Sequence, residues 1–193
     1  MIAVEPLAEM RAILAEKVPA AEPRDGRAES LPLADGSVDA LTVAQAFHWF
    51  QASLALAEIA RVLRPGGQLA LLWNVRELSD PLQSQLQALL APYRGSAPSE
   101  HDRPWLELLE AEPRFGAVSL RSFSWTQPHT SSELAERIAS VSFMAALGED
   151  ERAGLLAEVA RLVAGLPEPF GFPYRTDVYT CARLDGEVSA AAG

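Results

Sequence analysis

Val38-Asp39-Ala40-Leu41-Thr42-Val43-Ala44-Gln45-Ala46-Phe47 is the stretch that decides the fold. Val38, Ala40, Leu41, Val43, Ala44, Ala46 and Phe47 put apolar side chains on both faces of an extended chain. That pattern fits a strand buried on both sides, as in a parallel sheet covered by helices. Just downstream, Leu56, Ile59, Ala60 and Leu63 recur at helical spacing, so a helix is expected over roughly 51–63 with those residues on its inner face. Arg64-Pro65-Gly66-Gly67 stops it as a tight turn, with proline and glycine in the expected places. Leu69-Ala70-Leu71-Leu72-Trp73 follows as a second continuous apolar strand. Strand, helix and strand in this order specify an α/β chain with an open sheet.

Toward the N-terminus, the short apolar run Met1-Ile2-Ala3-Val4 ends at Glu5-Pro6, since proline cannot continue a central ladder. Leu7, Met10, Ile13 and Leu14 then repeat at helical spacing. Residues 18–27 read as loop, Ala28 to Leu33 as a brief extended piece, and Ala34-Asp35-Gly36-Ser37 as a turn. Toward the C-terminus, Asp80-Pro81 opens a helix with Leu82, Leu86, Leu89 and Leu90 as its stripe. Residues 92–104 are a proline- and charge-rich excursion, and Trp105 to Leu109 form a short helix. Val118, Leu120, Phe123 and Trp125 read as an imperfectly alternating strand. Thr130-x-x-Glu133 has the form of a capping box ahead of Leu134 and Ile138. Leu155, Val159, Leu162 and Val163 mark a further helix, and Phe172 to Ala182 a closing strand. The expected organisation is one domain over 1–185, with halves at 1–76 and 77–185 and a flexible tail at 186–193.

The 193 residues are 49% hydrophobic and 22% charged, an ordinary globular composition, and the formal charge is −10. That sign and the lack of a basic patch argue against duplex nucleic acid or an anionic membrane as partner. A small or neutral ligand suits it better. Cys181 is the single cysteine, in an apolar run, so an internal disulfide and a cysteine zinc cluster are excluded and a buried core thiol is expected. Neither a membrane-length apolar run nor a secretory signal is seen, which makes the cytoplasm the default. His48, His101 and His129 show no metal-ligand spacing, so no metal is assigned. Ligands of open α/β sheets sit beyond the carboxyl ends of the strands. The residues to weigh are therefore Glu5, Ala28-Glu29, Gln45 to Trp49, and Asn74 to Arg76.

Four pieces in order carry a resemblance to a known family: Ala3-Val4-Glu5-Pro6 with Met10; Ala28 to Leu33 with Asp35-Gly36-Ser37-Val38-Asp39; Ala44-Gln45-Ala46-Phe47-His48-Trp49-Phe50; and Glu58 through Gly67. Together, over about residues 2–76, they resemble the core of a class I S-adenosylmethionine-dependent methyltransferase of the type 11 group. The nearest branch includes the trans-aconitate methyltransferase-like enzymes. The resemblance implies a Rossmann-like sheet with helices on both faces and S-adenosylmethionine as cofactor. It implies that Glu5 accepts hydrogen bonds from the ribose hydroxyls, a task suited to an acceptor-only carboxylate. By the same resemblance Ala28-Glu29 borders the adenine, and Ala44 and Gln45 face the methionine part and its methyl. His48 and Trp49 then stand at the mouth of the site, and the acceptor is a small molecule, with a carboxylic acid hinted by the branch. Each position also has a structural alternative: solvated strand end for Glu5, loop surface for Glu29, buried amide for Gln45, pocket wall or core for His48, and packing for Trp49. For an acid acceptor, Arg76 or Arg175 would orient the substrate, or either is a surface charge.

The resemblance also implies a glycine-rich loop, after a first strand that is central in the family's sheet. No Gly-x-Gly pattern occurs in the sequence. The expectation is a sheet without its central strand, and three explanations stand: a fragment or misplaced start, a remnant without cofactor binding, or a gap closed by direct strand pairing or by another chain. A homodimer through the open strand edges belongs to the last. A non-catalytic methyltransferase-fold remnant or interaction module is the rival to an active enzyme. A nicotinamide-dependent dehydrogenase would need a phosphate loop that is equally absent.

Overall fold

The computed structural model describes residues 1–93 and 104–185. The parallel strand pair expected around Val38 and Leu69 is present. β3 (Val38–Ala44) lies parallel to β4 (Leu63–Arg76), with Leu41 opposite Leu69 and Ala44 opposite Leu72. Between them α2 (Ala52–Val62) buries Ala55, Leu56, Ile59, Ala60 and Val62, the face its periodicity gave. The register jumps from Val38↔Leu63 to Ala40↔Gln68, so Arg64-Pro65-Gly66-Gly67 is extruded from the ladder as a bulge. Gly66 has φ +74, and a Cβ on Gly67 would stand 2.8 Å from the Arg64 carbonyl oxygen. Those positions demand glycine.

The strands fall into two sheets. β1 (Ile2–Val4) pairs in parallel with β2 (Glu22–Arg24), and the second sheet has the order β3-β4-β6-β5, with β5 at Ser119–His129 and β6 at Phe170–Ala182. β6 is antiparallel to β4: Gly66 N–H donates to the Arg183 carbonyl, and Glu77 N–H to that of Pro173. Among the described residues, β1 and β3 each have a strand on one side only. This corrects the reading of β3 as buried on both sides. None of its residues is fully buried, and its outer edge has no strand beside it among the described residues. β4 alternates instead, burying Leu69, Leu71, Trp73 and Val75 and leaving Asn74 exposed.

Two further corrections concern the N-terminus. The segment read as loop contains β2, a Glu-Pro-Arg strand whose extended form comes from pairing with β1 and not from apolar pattern. Ala28 to Leu33 forms no strand; Arg27 bridges Ser30 across a turn. α1 (Ala8–Lys17) forms where its spacing put it but buries no residue.

The chain divides into two compact units that interleave along the sequence. The first holds Met1–Trp73, Arg103–Arg121 and Val178 onward; its core joins Phe47, Leu56, Ile59, Leu69, Leu71 and Trp73 to Tyr179, Cys181 and α4 (Pro104–Glu110). The second holds Asn74–Asp102 and Ser122–Asp177. There α3 (Pro81–Leu90), α5 (Ser131–Ala139) and α6 (Glu149–Val163) share a core with Phe170, Phe172 and Tyr174. Both expected caps form: the Asp80 carboxylate accepts from Gln83 N–H at 2.9 Å, and Thr130 and Glu133 make the reciprocal capping box. No helix among the described residues is long and apolar enough to cross a membrane.

Candidate functional site

Within the first unit, the carboxyl ends of β1 and β3 carry the residues singled out from the sequence. Glu5 follows β1 directly. Its backbone N–H donates to the Arg24 carbonyl, and its Oε1 accepts from Leu7 N–H at 2.9 Å. That fixes the carboxylate at the strand end, while Oε2 has no hydrogen-bond partner among the described residues. A half-buried carboxylate held by one oxygen, with the other unengaged, fits a diol that donates two hydrogen bonds.

Gln45 ends β3 with φ 54, the one left-handed non-glycine residue among the described positions. Its N–H donates to Leu72 O at 3.0 Å, so the strand pairing carries through the strained residue. Such strain costs on the order of 1–3 kcal/mol and collects at functional edges. Ala44 beside it is exposed, and its small side chain leaves that edge open.

Glu29 is more committed than its sequence setting suggests. Its Oε1 accepts from Gln51 N–H at 2.9 Å, at the start of α2, and Oε2 lies 3.7 Å from the Arg27 guanidinium. The side chain therefore ties the turn to the helix, which leaves the Ala28-Glu29 backbone as the part able to border a ligand. The rest of that loop is anchored by Arg61, a residue that sequence pattern did not single out. Its guanidinium donates to both Glu58 oxygens, to Asp35 Oδ1 and to the carbonyls of Leu33 and Leu31. Paired this way, the Glu58 carboxyl is held below its ordinary range, chiefly by the Arg61 hydrogen bonds, and Arg61 is pushed upward. Only its helical position, three residues after Glu58, was visible in the sequence.

His48 sits in a 3-10 turn, Phe47–Trp49, with its ring 4.7 Å from that of Trp49 and 5.2 Å from that of Trp73. Burial lowers its pKa below the usual 6.5, so the imidazole is neutral near pH 7. Trp49 is 68% exposed, which fits a pocket rim better than packing. In the second unit, Arg76 at the end of β4 donates to Gln87 Oε1. Arg175 there pairs with buried Asp177 at 2.8 Å and approaches Glu77 at 3.9 Å. His129, in the second unit, is buried against Phe172, and His101 lies outside the described residues. No group of three or more His, Cys, Asp or Glu side chains among the described residues is arranged to hold a metal.

In the first unit an acidic residue follows β1, a left-handed Gln45 follows β3, and Trp49 stands exposed nearby in sequence. A methyltransferase-domain family model matches residues 1–71. An uncharacterized methyltransferase-like protein of Schizosaccharomyces pombe is 36% identical over 167 residues, covering 86% of this chain and 65% of the relative. A malonyl-[acyl-carrier protein] O-methyltransferase of Methylococcus capsulatus is 54% identical over 46 residues, 23% of this chain and 17% of that one. Among solved structures, one assigned to the type II methyltransferases, from Anaeromyxobacter dehalogenans, superposes with TM-score 0.61 at 23% identity, covering 94% of this chain and 78% of that one. Over residues 1–71 the chain is similar to the methyltransferase domain, and it spans about 65% of the length of the curated relative from S. pombe.

Proposed function

We propose that the chain takes part in S-adenosylmethionine-dependent methyl transfer to a small-molecule acceptor carrying a carboxylic acid. The observation that carries this reading is the pairing, in one unit, of a half-engaged carboxylate after β1 with the left-handed Gln45 after β3. Glu5 would hold the ribose hydroxyls, the Ala28-Glu29 backbone the adenine edge, and Ala44 and Gln45 the methionine end. The cofactor, when bound, supplies a methyl already activated by a positive sulfur. The chain's own work is then alignment and exclusion of water. A carboxylate acceptor carries no proton at neutral pH, so His48 serves as a neutral wall and not as a base. Trp49 would cover the acceptor. The O-methyltransferase relative named for a malonyl substrate supports an acid acceptor. A soluble protein in the cytoplasm, acting without nucleic acid or membrane partners, completes the reading. A homodimer through the open strand edges is part of the same proposal.

A second reading, a non-catalytic remnant of the same fold, is favoured by one observation: β1 and β3 each pair on a single side. Incubation with methyl-labelled S-adenosylmethionine and a panel of small carboxylic acids separates the two. Label recovered as a base-labile methyl ester is the expected result. A folded chain that binds the cofactor but transfers no label to any acid removes the acid-acceptor reading.

A further inference from the structure

β5 is the outer strand of its sheet, and residues 122–126 along it are all exposed. Ser122-Phe123-Ser124-Trp125-Thr126 contains no charge and no proline, the residues that ordinarily blunt a strand edge. Trp125 is held from the inner side. Its ring stacks on Tyr174 of β6 at 4.9 Å with 20° between planes, and its Nε1–H donates to Thr176 Oγ1 at 2.9 Å. Ser122 Oγ donates to Asp177 Oδ1 at 2.7 Å. Between these two contacts one strand advances while the other retreats, so β5 and β6 run antiparallel. The ring spacing matches the spacing of neighbouring strands. A row of rings thus crosses the sheet and ends at Trp125, with Phe123 56% exposed beside it on the same open edge.

The same five residues are self-complementary. With two copies of β5 antiparallel and Ser124 opposite itself, Phe123 faces Trp125 of the second copy, and Ser122 faces its Thr126. Aromatic pairs and Ser–Thr pairs are cross-strand combinations that stabilise a sheet. Two-fold symmetry supplies each pair twice. A shift of one residue in either direction would set both rings against serine or threonine. We propose that β5 is a self-recognition edge, through which two copies of this chain join by antiparallel pairing centred on Ser124. This edge is distinct from the open sides of β1 and β3, and its role is independent of the methyl-transfer reading.

The test is sedimentation velocity on the full chain beside Phe123→Ser, together with copper–phenanthroline oxidation of Ser124→Cys and Thr126→Cys. A single strand pair is a small interface, so a dimer with a Kd of about 10–100 μM is expected. Phe123→Ser removes an exposed ring and, by symmetry, two aromatic pairs, which should weaken association about tenfold. Opposed residues of an antiparallel pair have Cα atoms about 4.5–5.5 Å apart, so Ser124→Cys should link into a covalent dimer. The two Thr126→Cys positions would stand about 14 Å apart and stay unlinked, and the native Cys181 is buried. Should Phe123→Ser fail to fold, the two cysteine variants decide. A folded chain that stays monomeric up to about 1 mM overturns the proposal and leaves the edge to another protein. A dimer that Phe123→Ser leaves unchanged, or Thr126→Cys linking as readily as Ser124→Cys, also overturns it. Either result moves the association elsewhere on the chain and leaves the methyl-transfer reading untouched.

Discussion

Arg61→Met isolates the anchor of the loop that would border the adenine. Methionine keeps the aliphatic stem and removes five donated hydrogen bonds, to Glu58, Asp35, Leu31 and Leu33. The two backbone carbonyls lose a charged donor, worth about 1 kcal/mol each after exchange with water. The two-pronged pair with Glu58, whose side chain is 21% exposed, contributes about another 1 kcal/mol once solvent screening is allowed for. Asp35 is 82% exposed and adds close to nothing. The sum is about 3 kcal/mol, a large share of a typical domain's stability. In urea unfolding, with a slope of about 2 kcal/mol/M, the midpoint should fall by roughly 1.5 M at unchanged slope. Asp35→Ala, the control, should move it by less than about 0.3 M. An Arg61→Met loss no larger than that of Asp35→Ala would refute the claim that this side chain organises residues 28–35.

Other expectations are smaller. At position 45 the left-handed backbone favours glycine, so Gln45→Gly should be more stable than Gln45→Ala by about 1 kcal/mol in the same unfolding assay, and equal stabilities would remove the strain argument. Glu29→Ala should cost about 1 kcal/mol through the lost bond to Gln51 N–H, read as a lowered melting midpoint. Burial depresses the folded-state pKa of His48 and His129, so on acidification the unfolded chain takes up protons first. Stability is full above about pH 6.5 and falls as pH drops toward 5. Glu58 and Glu112, lowered mainly by hydrogen bonds from Arg61 and Arg114, add a second loss below about pH 4.5. A midpoint that rises between pH 7 and 5.5 contradicts this. Burial pushes the Cys181 thiol up to about 11, so thiol reagents at pH 8 should label it only after unfolding.

What the sequence revealed was local. Asp80-Pro81 and Thr130-x-x-Glu133 specify their caps within four residues, and α2 announces its inner face through Leu56, Ile59 and Ala60. What it hid depends on partners far along the chain. β2 is extended because β1 lies beside it, and nothing in Glu22-Pro23-Arg24 says so. The apolar run from Val38 promised burial on both faces, but burial depends on what packs over a strand, and no residue of β3 is fully buried. Glu5 and Gln45 were marked by their place after strands, whereas the left-handed turn at Gln45 is a property of the folded backbone alone. Glu29 stood open between ligand contact and loop surface because its partner, Gln51 N–H, lies 22 residues away. Trp105 read as an ordinary helix residue; only its stack on Trp73 and its buried, unmatched N–H set it apart.

The most direct test of the methyltransferase reading is calorimetric titration of the folded 193-residue chain with S-adenosylhomocysteine, beside its Glu5→Ala variant. The account predicts saturable binding with a Kd below about 1 mM, weakened about tenfold when the Glu5 carboxylate is removed. A folded chain that shows no binding up to about millimolar ligand, less than roughly 4 kcal/mol of affinity, would contradict it.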